Sequence, residues 1–265
     1  MFNMIKADIK RIFTSKGFLI WLAIWLGYSL FNFMSVNSAV NSGHIANFVA
    51  VQNFGFTEVN GSVMPLFQMS DPLTVVVFLT PLILTVISID FSSGTIKNTL
   101  SVGVPRLRYF GVKLILVWII SFILHLFDVF GGTVLLTLTQ GFGADFTFEW
   151  LISILQPFLL QSFILLSIMS VGVCFAFMIK KTAGVLGAFI ALTAAPPMIF
   201  MMFNFWQIGN LEWLSQFELT TRLLASAHFS SLSSGDVFQI VMVGVGWQVI
   251  SIWVSMVLFK KAEIK

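Results

Sequence analysis

The sequence predicts an all-α polytopic membrane protein with six transmembrane helices, an N-terminal interfacial helix and both termini in the cytoplasm. Hydrophobic residues make up 58% of the 265 residues and charged residues only 9%, far below the roughly 25% charged content of soluble domains. All Lys and Arg residues except Arg222 fall near 6–16, 97–113, 180–181 and 260–265, between long apolar runs. Cytoplasmic loops retain such residues and outer loops lack them, so both termini are expected inside.

The first 16 residues predict a basic amphipathic helix. Apolar side chains recur at helical spacing, whereas Lys6, Lys10 and Arg11 occupy other positions. Such a helix is too short and too charged to cross a bilayer, so it is expected along the cytoplasmic interface, with its cations near anionic headgroups. A solvated tail is the alternative. The expected apolar face consists of Phe2, Ile5, Ile9, Ile12 and Phe13.

Six apolar runs reach the roughly 20 residues that a spanning helix needs. Ser70-Asp71-Pro72 offers an N-cap and a first-turn proline to the second run, and Ser234-Gly235-Asp236 offers a cap to the sixth. The third and fourth runs exceed the bilayer thickness, so they are expected to tilt or to project beyond it. The runs cover about 17–36, 72–90, 107–138, 150–179, 182–203 and 237–259, and a basic cytoplasmic tail, 260–265, follows.

Pro196 and Pro197 predict that the helix of the fifth run bends or stops there, because two successive prolines remove two amide donors and clash with the preceding turn. Carbonyls freed at membrane depth must pack in protein or face a wet cavity. A re-entrant turn, a substrate path and termination near the outer surface are therefore the alternatives. The segment that follows, 204–236, mixes leucines with polar residues and predicts short helices at the outer interface.

Catalytic and metal-binding motifs are missing from the sequence. It contains no G-x-x-x-x-G-K-[ST], H-E-x-x-H or G-x-S-x-G pattern, so we expect no catalytic residues, no metal site and no nucleotide hydrolysis in this chain. His125 and Asp128, three positions apart, form the expected polar pair inside a span. Intramembrane charge is costly and often marks function, so a proton or ion relay and a structural pair are both open.

The most specific segment lies between the second and third runs. It reads Asp90-Phe91-Ser92-Ser93-Gly94-Thr95-Ile96-Lys97-Asn98-Thr99-Leu100, and Pro105-Arg106 and Lys113-Leu114 follow. This acidic-Phe-x-x-Gly-Thr-Ile-Lys-x-x-Leu pattern resembles the membrane (permease) subunits of type-2 ATP-binding-cassette exporters. The chain is similar to bacterial peptide exporters of the lantibiotic-immunity and phenol-soluble-modulin kind. The amphipathic start, the six-span order and the basic tail extend the resemblance over the whole chain.

The resemblance implies a non-catalytic subunit of the bacterial cytoplasmic membrane. It would pair with a second permease, identical or related, and with two copies of an ATPase subunit that binds ATP and Mg. Residues 1–16 would be the connecting helix, and Ser92 or Ser93 would cap a coupling helix. An ordinary loop helix on the membrane is the alternative. The coupling helix would comprise Gly94, Thr95, Ile96, Lys97, Asn98, Thr99 and Leu100, with Thr95, Ile96 and Leu100 entering an ATPase groove and Lys97 meeting its acidic rim.

By the same resemblance, the first, second and fifth spans would line a path between two permeases. The 30 Phe and 12 Met residues form an adaptable apolar surface, so a hydrophobic or amphipathic cargo is expected, with a toxin or antimicrobial peptide, exported or kept out, as the substrate. Sodium or drug export, or a secondary transporter using His125 and Asp128, are the alternatives, and no nucleic-acid partner is expected. The path candidates are Phe31, Phe33, Phe78, Pro196, Pro197, Met198, Phe200, Met201 and Phe203.

Overall fold

A computed structural model describes residues 2–44, 58–206 and 212–261, and every regular element within these ranges is helical. In chain order the elements are α1 (Phe2–Thr14), α2 (Lys16–Ser42), α3 (Met64–Met69), α4 (Pro72–Ile83), a π-helical segment (Leu84–Ser88), α5 (Ile89–Ser92), α6 (Thr95–Ser101), α7 (Arg106–Gln140), α8 (Phe148–Ile179), α9 (Thr182–Trp206), α10 (Glu212–Ser215), α11 (Leu219–Ala227), a 3-10 turn (Phe229–Ser231) and α12 (Ser234–Lys261).

Five helical stretches are long and apolar enough to cross a membrane, which confirms the multi-pass helical class. They are α2, the continuous stretch Pro72–Ser92, α7, α8 and α12. The predicted fifth run coincides with α9, whose apolar part, Thr182–Pro196, is shorter. With 35 and 32 residues, α7 and α8 are about 52 and 48 Å long. They therefore exceed the bilayer thickness, as the sequence predicted.

The centre of the bundle is α8. Its most apolar stretch is 72% buried, whereas that of α2 is only 17% buried. Helices α7, α9, α11 and α12 all pack against α8. The sequence favours this arrangement because α8 carries almost no charge and is apolar around its circumference, a pattern typical of a helix surrounded by others.

Local signals set the helix starts. Pro72 opens α4 as predicted, although the Asp71 carboxylate accepts a hydrogen bond from the Thr74 hydroxyl (2.5 Å) and makes no side-chain cap. The cap of α12 is Ser233, one residue before the predicted segment Ser234-Gly235-Asp236, of which Asp236 takes part. The Asp236 amide donates to Ser233 Oγ (3.2 Å) and the Ser233 amide donates to Asp236 Oδ2 (2.9 Å). This reciprocal pair is a capping box, which satisfies amides that the first turn leaves free.

Pro196 and Pro197 do not end α9, so of the two predicted outcomes, a bend or a stop, the stop is wrong. The helix runs without a break from Thr182 to Trp206. Prolines cost backbone hydrogen bonds, but spanning helices tolerate them because neighbouring helices and local adjustments satisfy the freed carbonyls. Pro81 likewise lies inside α4 without ending it, because the chain continues as helix to Ile83 and then widens into the π-helical segment.

The segment after α9 forms short helices, as predicted, and α11 packs into the bundle. Leu219 and Leu223 of α11 belong to the main hydrophobic core. The indole of Trp247 donates to the Phe217 carbonyl just before α11 (2.8 Å). Because Trp247 lies halfway along α12, the N-terminus of α11 reaches the middle of the bundle.

Glu218 stabilises that N-terminus. Its carboxylate accepts hydrogen bonds from the backbone amides of Thr220 (2.8 Å) and Thr221 (2.5 Å), and from the Thr220 hydroxyl (2.5 Å). The first amides of a helix have no partner within the helix and carry partial positive charge. The anionic cap therefore compensates the dipole of α11 in an apolar environment, where uncapped amides would be costly.

Candidate functional site

A buried group of charged side chains joins three helices at one end of the bundle. It consists of Asp8 and Arg11 of α1, Asp90 of α5, and Tyr109 and Lys113 of α7, and is called the ionic cluster below. The ammonium of Lys113 lies 2.8 Å from Asp8 Oδ2 and 2.7 Å from Asp90 Oδ2. The Tyr109 hydroxyl donates to Asp90 Oδ2 (2.5 Å). Arg11 donates to Asp90 and lies 3.1 Å from Asp8.

Charge balance explains how these ions are buried. Two carboxylates face two cations, and the side chains of Asp90 and Lys113 are only 2% and 1% exposed. Removing ions from water is costly unless each is paired and hydrogen-bonded. Burial by itself lowers the pKa of Arg11, but the hydrogen bond to Asp90 and the negative charges of Asp90 and Asp8 raise it, and the net shift is upward. Arg11 therefore stays charged, and the cluster is neutral as a whole.

The ionic cluster lies next to the short helix α6. Asp90 belongs to α5, and Gly94 turns the chain into α6 with a φ of 70°. Glycine suits this position because other residues rarely adopt a positive φ. The predicted serine cap is wrong: Ser92 and Ser93 donate back to the Ile89 carbonyl (3.0 and 2.7 Å), and α6 has no side-chain cap.

One face of α6 is anchored and the other is exposed. Ile96 is 1% exposed and packs in the main core. The family resemblance implies that Ile96 enters a groove on another protein. Its burial in this chain rules that role out. Lys97 and Asn98 are exposed, and they remain available to a partner. The other residues of the predicted coupling segment are partly exposed: Gly94, Thr95, Thr99 and Leu100.

An open groove of about 560 Å³ runs along the C-terminal end of α6. Arg106, on its wall, donates through Nη1 to the carbonyls of Phe259 (2.9 Å) and Lys260 (2.7 Å), so the end of α12 is tied to the start of α7. Lys97 supplies a second cation, so the groove suits an acidic partner surface. The lining residues are Lys97, Leu100, Ser101, Gly103, Val104, Pro105 and Arg106.

The predicted apolar face of α1 divides into an inner and an outer part. Ile12 is 2% exposed and Ile5 packs against the core from its edge. Ile9 and Phe13 are 39% and 50% exposed, and exposed lysines flank them. The side chain of Phe2 lies outside the described part of the structure. The inner part of α1 therefore packs on protein, and Ile9 and Phe13 stay free to contact lipid.

The structure does not bring His125 and Asp128 into hydrogen-bond contact. His125 is 1% exposed, stacks on Phe158 with ring centroids 5.1 Å apart, and has no hydrogen-bond partner for either ring nitrogen among the described residues. Asp128 is partly buried and lies about 33 Å along the helix axis from Arg106 at 1.5 Å per residue. This distance places Asp128 toward the end of α7 that is opposite the ionic cluster.

The predicted path residues differ in exposure. Phe31 of α2 and Met198 of α9 are 68% and 64% exposed, whereas Phe78 is partly buried and packs on Tyr28 with ring centroids 4.7 Å apart. Three others are also partly buried: Phe33, Pro196 and Phe203. The side chains of Pro197, Phe200 and Met201 lie outside the described part of the structure. The exposed members thus place apolar side chains on the outward faces of α2 and α9.

Within residues 2–44, 58–206 and 212–261, no group of three or more His, Cys, Asp or Glu residues could hold a metal ion. The ionic cluster itself was not predicted as a unit, although two signals pointed to it. Lys113 is a charge inside an apolar run, and Asp90 ends another. Neither signal identifies Asp8, which lies 105 residues before Lys113 in the chain, as the shared partner.

Comparisons with known proteins do not assign the chain to a family. No protein-family model matches it, and a search of curated proteins finds no significant match. Conclusions about function therefore depend on the sequence pattern and on the geometry of the helices. The ionic cluster, α6 and the adjoining groove form the candidate functional site, because they combine buried charge with an accessible surface.

Proposed function

We propose that this chain is the permease subunit of an ATP-driven exporter of the type-2 ABC class. In this proposal α9 is the fifth of six spans, since its apolar stretch continues as helix to Trp206. An even number of crossings returns the C-terminus to the side of the N-terminus. The distribution of Lys and Arg favours the cytoplasm for that side, and a bacterial plasma membrane follows from the sequence resemblance.

The observation that carries the proposal is the placement of α6. Ile96 fixes α6 to the core, and Asp90, just before it, is held by the ionic cluster. Lys97 and Asn98 face outward beside the groove. A coupling element must be accessible to the motor protein and must also be joined rigidly to the helices that it moves. A force applied to α6 would pass through Asp90 to α1 and α7.

The proposed complex contains two such permeases, identical or related, and two ATPase subunits that bind ATP and Mg. The apolar outward faces of α2 and α9 support this, because contiguous exposed apolar surface in a helical membrane protein faces either lipid or another subunit. Phe31 and Met198 would contribute to a path between the two permeases. A path of this composition suits a hydrophobic or amphipathic cargo, and we propose a toxin or antimicrobial peptide.

Site-directed cross-linking tests the proposal. The Asn98→Cys variant, made with Cys174→Ser so that the introduced thiol is unique, is treated in native membranes with a membrane-permeant thiol–amine cross-linker. Asn41→Cys at the far end of α2, also exposed, serves as the matched control. Mass spectrometry should find a protein with phosphate-loop and ABC signature motifs cross-linked to the Asn98→Cys variant alone. If no such ATPase is found among the proteins cross-linked to the Asn98→Cys variant, the assignment of this chain as an ABC permease is refuted.

The secondary transporter is the less favoured candidate. A gradient-driven relay needs titratable groups joined by hydrogen bonds or water, and His125 stacks on Phe158 without a hydrogen-bond partner among the described residues.

Sodium and drug export differ from peptide export only in the cargo. ATPase stimulation of the purified complex by amphipathic peptides, sodium or hydrophobic cations would distinguish the three.

A further inference from the structure

A second cavity, separate from the candidate functional site, lies beneath α11. It measures about 160 Å³ and is walled by Ile168 of α8, Leu192 and Pro196 of α9, Leu219 of α11 and Trp247 of α12. Its surface is almost wholly apolar. The shape is largely enclosed, so its contents are set by the wall residues and by any opening between the helices.

The polar residues of the wall are engaged elsewhere. The Glu218 carboxylate caps α11 through the backbone amides of the following residues. The Thr193 hydroxyl donates to the Phe189 carbonyl (3.1 Å), and the Trp247 indole donates to the Phe217 carbonyl (2.8 Å). A buried water needs two to four polar partners, and this wall offers few. The cavity therefore favours an apolar occupant.

The cavity lies at mid-membrane depth. Trp247 is about 20 Å from each end of α12, at 1.5 Å per residue. On the same basis Ile168 lies about 17 Å from the C-terminal end of α8, and Pro196 about 21 Å from the N-terminal end of α9. At this depth the surrounding solvent of the protein is lipid hydrocarbon. The cavity wall and the lipid hydrocarbon around the protein are thus both apolar.

Helices α9 and α12 both wall the cavity and both pack against α8, but they share at most marginal contact with each other. Helix α11 contacts both of them. The seam between α9 and α12 therefore has the least packing among the four helices that wall the cavity.

We propose that this cavity binds the end of one phospholipid acyl chain, which enters between α9 and α12. An apolar cavity of about 150 Å³ in another protein binds benzene or xenon, so the volume is sufficient for a short length of hydrocarbon. The chain end contacts Leu192, Pro196 and Trp247. This site depends on the packing of the helices and not on the proposed transport function.

Fluorescence quenching tests the site in the full-length chain. All tryptophans except Trp247 are replaced by phenylalanine, and the protein is reconstituted in vesicles of phosphatidylglycerol whose acyl chains carry bromine near the terminal methyl group. Bromine quenches indole fluorescence on contact, so strong quenching of Trp247 is expected. Leu192→Phe fills the cavity from α9 and should reduce the quenching by half or more.

Thr193→Leu is a second filling variant, in case Leu192→Phe fails to fold, and it should reduce the quenching in the same way. Bromine placed near the headgroup is the matched control and should quench Trp247 far less than bromine near the chain end. The proposal is overturned if chain-end bromine quenches Trp247 as strongly in both filling variants as in the protein without a filling substitution. It is also overturned if chain-end bromine does not quench Trp247 at all. Either result stands independently of any ATPase partner.

Discussion

Replacing Lys113 by methionine tests whether the ionic cluster holds its end of the bundle together. The Lys113 ammonium contacts both Asp8 and Asp90 and is 1% exposed. Methionine keeps most of the side-chain volume but leaves the cluster with one excess negative charge. Breaking a buried ion pair costs about 3–5 kcal/mol. Arg11 remains and its side chain is 34% exposed, so solvent and Arg11 offset part of the loss, and we expect about 3 kcal/mol.

The corresponding fall in Tm is about 6–12 °C for a chain of this size. Cys174 provides the assay, because it is the single cysteine and is 6% exposed. A thiol-reactive fluorogenic dye reports its exposure as the detergent-solubilised protein is heated. Lys97→Met makes the same substitution at an exposed lysine near the cluster, and its Tm should stay close to that of the parent protein.

Neutralising one carboxylate should restore part of the loss. In the double variant Lys113→Met with Asp90→Asn, Asp8 and Arg11 balance each other, so Tm should rise above that of Lys113→Met alone. If Lys113→Met lowers Tm no more than Lys97→Met does, the reasoning about buried charge is refuted. The same holds if Asp90→Asn lowers Tm further in the Lys113→Met background.

Three further predictions concern the packing of the helices. A methyl group at Gly172 would collide with the ring of Phe189 and with the side chain of Ile83, whereas the space around Gly187 is open. In the same thermal assay Gly172→Ala should therefore lower stability by about 1–3 kcal/mol, and Gly187→Ala should have little effect. Equally small effects of the two variants would contradict this. His125→Phe should leave Tm unchanged or raise it, since a buried polar group without a partner is costly; a clear fall would mean that the imidazole is hydrogen-bonded. Glu218→Ala removes the cap of α11 and should cost about 1 kcal/mol, with faster hydrogen exchange confined to the first turn of α11, and uniform exchange rates along α11 would argue against the cap.

The class of the protein was predictable from local properties. Apolar runs of sufficient length and the placement of Lys and Arg between them act within single helices, so they are visible without any knowledge of packing. A short helix at 94–100 was expected from the resemblance of this segment to a family motif, and α6 lies there. The outcome at Pro196 shows the limit of such signals. Proline weakens a helix, but neighbouring helices decide whether the helix ends.

The ionic cluster, the inward face of α6 and the position of α11 were decided by tertiary structure. Asp8, Asp90 and Lys113 are far apart in the sequence, and no local pattern joins them. The family resemblance implies that Ile96 contacts a partner, whereas the core encloses it. Local patterns determine which segments are helices, since hydrogen bonding and hydropathy act over a few residues. The rotation and depth of each helix determine which side chains meet, and these depend on the simultaneous packing of all the helices.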